Sequence, residues 1–137
     1  MFKLIKINHA KYNCPELVLL NAKEGDAICE AGCVVDREGN NATEFSAGEP
    51  KYIVVGGYNP ERSDMVTVYP VTREMVFEVP IKDDMEMIYV GSPVSPASYN
   101  DDCKYDAVKL DADGKGRVLK IMEHANGVLV EVMFDGR

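Results

Sequence analysis

The sequence predicts an all-β fold, a small β-barrel or sandwich of short antiparallel strands. Three observations carry that expectation. Runs rich in β-branched and aromatic residues alternate with Gly, Pro, Asn and Asp turns about every ten residues. No stretch of ten or more residues combines a helical apolar period with caps. Asn126-Gly127 separates the runs Val118 to Glu123 and Val128 to Phe134. Asn-Gly is the strongest short hairpin signal, because a type I′ turn needs φ > 0 twice. No linker divides the chain, so residues 1–137 read as one β-rich domain of ordinary size.

Each element follows in order. Phe2 to Ile7 mixes apolar residues with Lys3 and Lys6, which fits a strand near a sheet edge, where lysines discourage edge-to-edge pairing. Glu16 to Leu20 is too short for a firm helix and leaves strand and helix open. Glu24-Gly25-Asp26 reads as a turn, Ala27 to Glu30 as a short strand, Cys33 to Asp36 as the next run and Glu38 to Asn41 as a loop. Lys51 to Val55 is a strand ended by Gly56-Gly57, and Tyr58-Asn59-Pro60-Glu61 is a turn. Met65 to Val71 is matched ten residues later by Met75 to Ile81. Each copy is a β-rich run with Pro one residue before its end, where a missing N–H does least harm to a ladder. The pair therefore reads as two short strands joined near Thr72-Arg73. Gly91 to Pro96 reads as a rigid loop, Tyr105 to Leu110 as a strand, and Asp111 to Gly116 as the hairpin turn after it.

The chain carries 23 acidic and 15 basic residues, a net charge of −8, with no basic stripe. It thus lacks the counterion release that drives nucleic-acid binding and the basic patch that anionic lipid attracts, so neither nucleic acid nor membrane is expected as a partner. Lysines interrupt the apolar start, whereas a signal peptide keeps that region uncharged. The expectation is a chain without a signal peptide, made in a cytoplasm, with Cys14, Cys29, Cys33 and Cys103 reduced.

The residues that could carry chemistry form no recognisable set. Cys29 and Cys33 are four apart, and with Cys14 and His9 they match no structural zinc spacing. Asp111-x-Asp113 opens like a calcium loop, but Lys115 and Met122 occupy ligand positions. His9 and His124 have no nucleophile motif beside Cys14 or Ser46. Asp83-Asp84 and Asp101-Asp102 are adjacent pairs that would face opposite ways on a strand. Gly56-Gly57 and Gly114-Lys115-Gly116 lack phosphate-loop spacing. No catalytic residue, metal ligand or cofactor site is expected. The Tyr and Met residues between 65 and 105 are the better candidates, because such side chains concentrate at interfaces. Met65, Tyr69, Met85, Met87, Tyr89 and Tyr99 are the candidate interface residues.

Glu24 to Asp36 contains an acidic-Gly-x-x-Ile pattern followed by Gly32 and Val35. It resembles the opening of the small capsid decoration and head-associated, head fibre-like proteins of tailed bacteriophages. Lys51 to Gly56, Asp64 to Tyr69, Asp106 to Leu110 and Gly116 to Leu119 resemble the later strands of that pattern. The resemblance implies a structural virion protein, a homo-oligomer on the outside of the head. Its partner would be the major capsid protein lattice, which it stabilises by binding only the assembled form. Two alternatives stand beside it. One is a small-molecule-binding β-barrel with a cavity lined by Tyr52, Tyr58 or Tyr89. The other is a different virion or tail component of the same architecture.

Overall fold

The computed structural model describes residues 1–8, 14–22, 30–55, 65–100 and 104–135. Its strands are β1 (Lys3–Ile7), β2 (Val18–Asn21), β3 (Val34–Glu38), β4 (Asn41–Glu44), β5 (Tyr52–Val54), β6 (Met65–Pro70), β7 (Met75–Pro80), β8 (Pro93–Ala97), β9 (Ala107–Leu110), β10 (Gly116–His124) and β11 (Gly127–Phe134). The other regular element among the described residues is a single 3-10 turn, Met85–Met87. The fold is all-β. The turns at Glu24-Gly25-Asp26 and Tyr58 to Glu61, the body of the Ala27 to Glu30 run and Gly56-Gly57 lie outside the described residues.

The strands divide into two sheets. β2-β4-β3-β5-β6 close into a barrel, and β1-β7-β11-β10-β8-β9 form a six-stranded sheet. The ten-residue repeat straddles the division. Its first copy, β6, pairs with β2 and β5, and its second, β7, pairs with β1 and β11. Pro70 and Pro80 end their strands as expected. β1 pairs with β7 alone and forms the lysine-marked edge.

Alternation along the barrel strands produces two apolar faces. Leu20, Val35, Ala42, Val54, Val66 and Val68 fill the inside. On the outside Val34 stands opposite Ile53, and Ile53 opposite Tyr69. That row joins Phe2, Phe77, Val79, Val94 and Phe134 in one core shared by both sheets. The six-stranded sheet also curls back on itself. Ile81, just past β7, bridges Val108 of β9, and the Lys82 N–H donates to the Val108 carbonyl at 3.0 Å.

Three sequence expectations need correction. Gly91 to Pro96 is not simply a loop, since β8 begins at Pro93 and lies between β10 and β9. The Asp111 N–H donates to the Pro93 carbonyl, so Pro93, Ser95 and Ala97 turn their backbone groups to β9. Pro96 therefore turns its missing N–H to the β10 side, beyond the β8–β10 pairs at Val94 and Pro93. Asp111 to Gly116 is not a hairpin turn, because β8 separates β9 from β10. It is a crossing loop. A Cβ on Gly114 would sit 2.3 Å from the Val94 carbonyl oxygen, so only glycine lets the loop pass this close. Glu38 to Asn41 is the turn of a hairpin, with Glu38 opposite Asn41 and β4 following. The β10–β11 hairpin forms where Asn126-Gly127 predicts, displaced by one residue. His124 pairs with Gly127, leaving Ala125-Asn126 as the two-residue turn.

Candidate interaction surface

Several carboxylates accept hydrogen bonds within the fold. The Asp111 carboxylate accepts the Asp113 N–H at 3.0 Å and a hydrogen bond from Ser95, which hold it below the ordinary carboxylate range. Asp83 accepts the Leu110 N–H at 2.7 Å, and Asp106 accepts the Tyr99 N–H at 3.2 Å. The Ser46 hydroxyl donates to Asp36 at 3.0 Å. Burial, with the nearby Asp106 and Glu30 carboxylates, pushes the Cys33 thiol up to about 11. Such a thiol acts as a small apolar filler. Cys14 is exposed, and His9, Cys29 and Cys103 lie outside the described residues. Among the described residues no group of three His, Cys, Asp or Glu side chains is placed to hold a metal ion. No described helix is long and apolar enough to cross a membrane.

Concave sites are open and shallow in chemistry. A cleft of about 550 Å³ runs along Pro50, Tyr52, Val71 and Arg73. A second, of about 440 Å³, separates Phe45 and Ser46 from Tyr105, Lys109, Asp111 and Lys115, with opposite charges side by side. Of the tyrosines expected to line a ligand cavity, Tyr52 borders the first cleft, Tyr58 lies outside the described residues, and Tyr89 stands 71% exposed on a turn. The barrel interior itself is occupied by aliphatic side chains.

Exposed apolar side chains are the more distinctive feature. Leu17, Leu19, Val55 and Met65 share the outer face of the barrel. Leu19 stands opposite Thr67, whose carbonyl accepts the Val55 N–H at 2.9 Å, and Met65 lies one outward position further along β6. Opposite and diagonal neighbours on one face are within side-chain reach, which places Leu19, Met65 and Val55 around Thr67 on this face, with Leu17 just before β2. Further along the same face Val34, Ile53 and Tyr69 pack against the six-stranded sheet.

A second surface lies between β7 and β8. The chain leaves β7, forms the 3-10 turn and reaches Tyr89-Val90-Gly91-Ser92. There the Ser92 N–H donates to the Tyr89 carbonyl at 2.9 Å, and the Tyr89 N–H donates to the Ser92 Oγ at 2.9 Å. Gly91 has φ of 94° at the third position, the left-handed conformation a type II turn demands there. Ile88 points inward and joins the core, while Met85, Met87, Tyr89 and Val90 remain in solvent.

The structure therefore separates the six predicted interface residues. Met85, Met87 and Tyr89 come together, and Met65 belongs to the barrel face. Tyr99 is exposed beside the β10–β11 turn, where it borders a groove of about 280 Å³ with Pro80, Val128 and Leu129. Tyr69 is a correction: it is 6% exposed, and burial raises its phenol pKa. It cannot serve as an exposed anchor. Sequence reasoning missed Leu17, Leu19, Val55 and Val90. Leu17 and Leu19 sit in an unbroken apolar run that reads as buried on both faces. Val90 could have been found from Gly91, which marks a type II turn and so places Val90 at its tip. No protein-family model matches the chain, and no curated protein matches it.

Proposed function

We propose that the protein is a non-catalytic virion component that binds the outside of a phage head as a decoration protein. The observation that carries this reading is the two groups of exposed large apolar side chains, Leu17/Leu19/Val55/Met65 and Met85/Met87/Tyr89/Val90. Exposed apolar surface rimmed by polar residues is one mark of a protein–protein contact. The likeness of Glu24 to Asp36 and the later strands to phage decoration proteins supplies the identity of the lattice. The net charge of −8 suits a position away from packaged DNA. With two surfaces per chain, one contacts the major capsid protein and the other joins copies into a homo-oligomer. Modest contacts then suffice, because a second attachment within one oligomer is intramolecular.

Co-sedimentation with empty cognate shells tests the proposal. The protein is expected to pellet with assembled shells and to bind unassembled capsid subunits far more weakly. Protein that stays in the supernatant at saturating concentration would sink the decoration reading. Saturable pelleting with tail structures instead would assign it to another virion component.

A further inference from the structure

We infer that the segment from Asp84 to Val90 is the docking element, and that it fits a protein surface with an apolar pocket rimmed by Lys and Arg side chains. The inference rests on the decoration reading for the partner's identity and on the segment's own chemistry for the partner's character.

The backbone of this segment is ordered before any partner arrives. The Met87 N–H donates to the Asp84 carbonyl at 3.0 Å, and the Ile88 N–H to the Met85 carbonyl at 3.2 Å. Ile88 is anchored in the core. The following turn is closed from both ends by Tyr89 and Ser92, and the Gly91 N–H ties it to the Val118 carbonyl of β10 at 2.7 Å. A partner therefore meets Met87, Tyr89 and Val90, which are 59%, 71% and 69% exposed, on a fixed frame. Little further backbone freedom is lost on binding, which favours affinity. Tyr is also among the residue types that dominate interface energies.

Charge selects among possible occupants. From Lys82 to Val90 there are three carboxylates against one lysine. Asp83 is engaged by the Leu110 N–H, while Asp84 and Glu86 are exposed and alternate with Met85 and Met87. Any surface that buries the methionines must lie close to these two carboxylates. A second copy docking through this same segment brings its own Asp84 and Glu86, like charge, to the contact. Nucleic acid and anionic lipid do the same. A protein pocket with a basic rim complements both the apolar tips and the acids between them, and long-range attraction steers it into place.

The test uses the full chain and empty cognate shells, with binding titrated at about 50 mM and about 500 mM salt, either side of strong screening. The double variant Met87→Ser/Tyr89→Ala is expected to weaken binding about tenfold or more, with Tyr89→Phe retaining most of it. Asp84→Asn/Glu86→Gln is expected to cost a few-fold at low salt and to flatten the salt dependence. Circular dichroism and melting confirm that each variant is folded. Should Met87→Ser disturb the 3-10 turn, Val90→Ser, outside it, gives the same reading. If the native chain does not pellet with shells, the decoration reading and this inference fall together. If it pellets and the Met87/Tyr89 variant pellets within about twofold, the inference alone is wrong. Tighter binding by Asp84→Lys/Glu86→Lys would overturn the basic rim. Tyr89-dependent dimerisation, or Tyr89-dependent pelleting with phosphatidylcholine vesicles, would assign the segment to a second copy or to lipid instead.

Discussion

The interior of the barrel is lined by Leu20, Val35, Ala42, Val54, Val66 and Val68, whereas the six-stranded sheet is built around Phe2, Phe77 and Phe134. Phe77 meets Phe2 edge-on at 5.8 Å and Phe134 at 6.3 Å. The strands differ as well. β10 and β11 run nine and eight residues, but β2 and β4 have four each, and among the described residues they pair at Asn21 and Asn41. Short strands supply few cross-strand contacts, and small aliphatic side chains bury little area each. The barrel is therefore expected to depend on the sheet. Its outer row of Val34, Ile53 and Tyr69 completes the aromatic core of the sheet, so the two regions share stability unequally. The docking segment inferred above belongs to the sheet and inherits its rigidity.

The comparison can be broken most forcefully at Phe77, which is fully buried. Phe77→Ala is expected to cost about 3–5 kcal/mol, the range for large aromatic truncations. Urea melts should show both regions unfolding together. A barrel that stays folded while the sheet melts would show that it does not depend on the aromatic core. The barrel counterpart is Leu20→Ala. It should cost about 2–3 kcal/mol, the low end for buried leucines, because the small aliphatic side chains around it can close partly over the cavity. A larger loss than that of Phe77→Ala would invert the ranking of the two regions.

A smaller effect is expected at the crossing loop. Gly114→Ala forces a methyl group against the Val94 backbone and should cost about 1–3 kcal/mol, typical of overpacking. Thermal melting within half a kilocalorie of the parent protein would mean that β8 can shift to admit it.

The smallest effect concerns pH at Cys33. Its folded pKa, raised from 9.0 to about 11, means that the folded chain holds the proton more tightly than the unfolded one. That contribution to stability is complete below about pH 9 and declines as pH rises toward 11. Cys33→Ala should remove this slope from the stability curve between those pH values. In the native chain at pH 8, Cys14 should react with iodoacetamide long before Cys33. Equal rates would show that the structure around Cys33 opens readily.

Legibility followed the range of the signal. The β10–β11 hairpin was readable because its turn residues and both apolar runs are contiguous. The β3–β4 hairpin carried a comparable signal in Gly39-Asn40, yet Asn41 to Glu44 buries only Ala42 and does not look like a strand. β8 was hidden by Pro93 and Pro96, since a proline reads as a break unless one knows which edge its nitrogen faces. Met85, Met87 and Tyr89 stood out through the concentration of Tyr and Met side chains between 65 and 105. Tyr69 has the same composition signal and the opposite environment.

By itself the sequence determined the all-β class, the lysine-marked edge at β1, the prolines at the ends of β6 and β7, and the position of the last hairpin. Each of these rests on local torsion preferences or a two-residue period, which a few neighbouring residues specify. Only the tertiary structure decided that β6 and β7 enter different sheets, that β8 separates β9 from β10, and that Tyr69 is covered while Leu19 and Tyr89 are not. An alternating strand has two faces whatever its surroundings, and which of them meets water depends on strands distant in the chain.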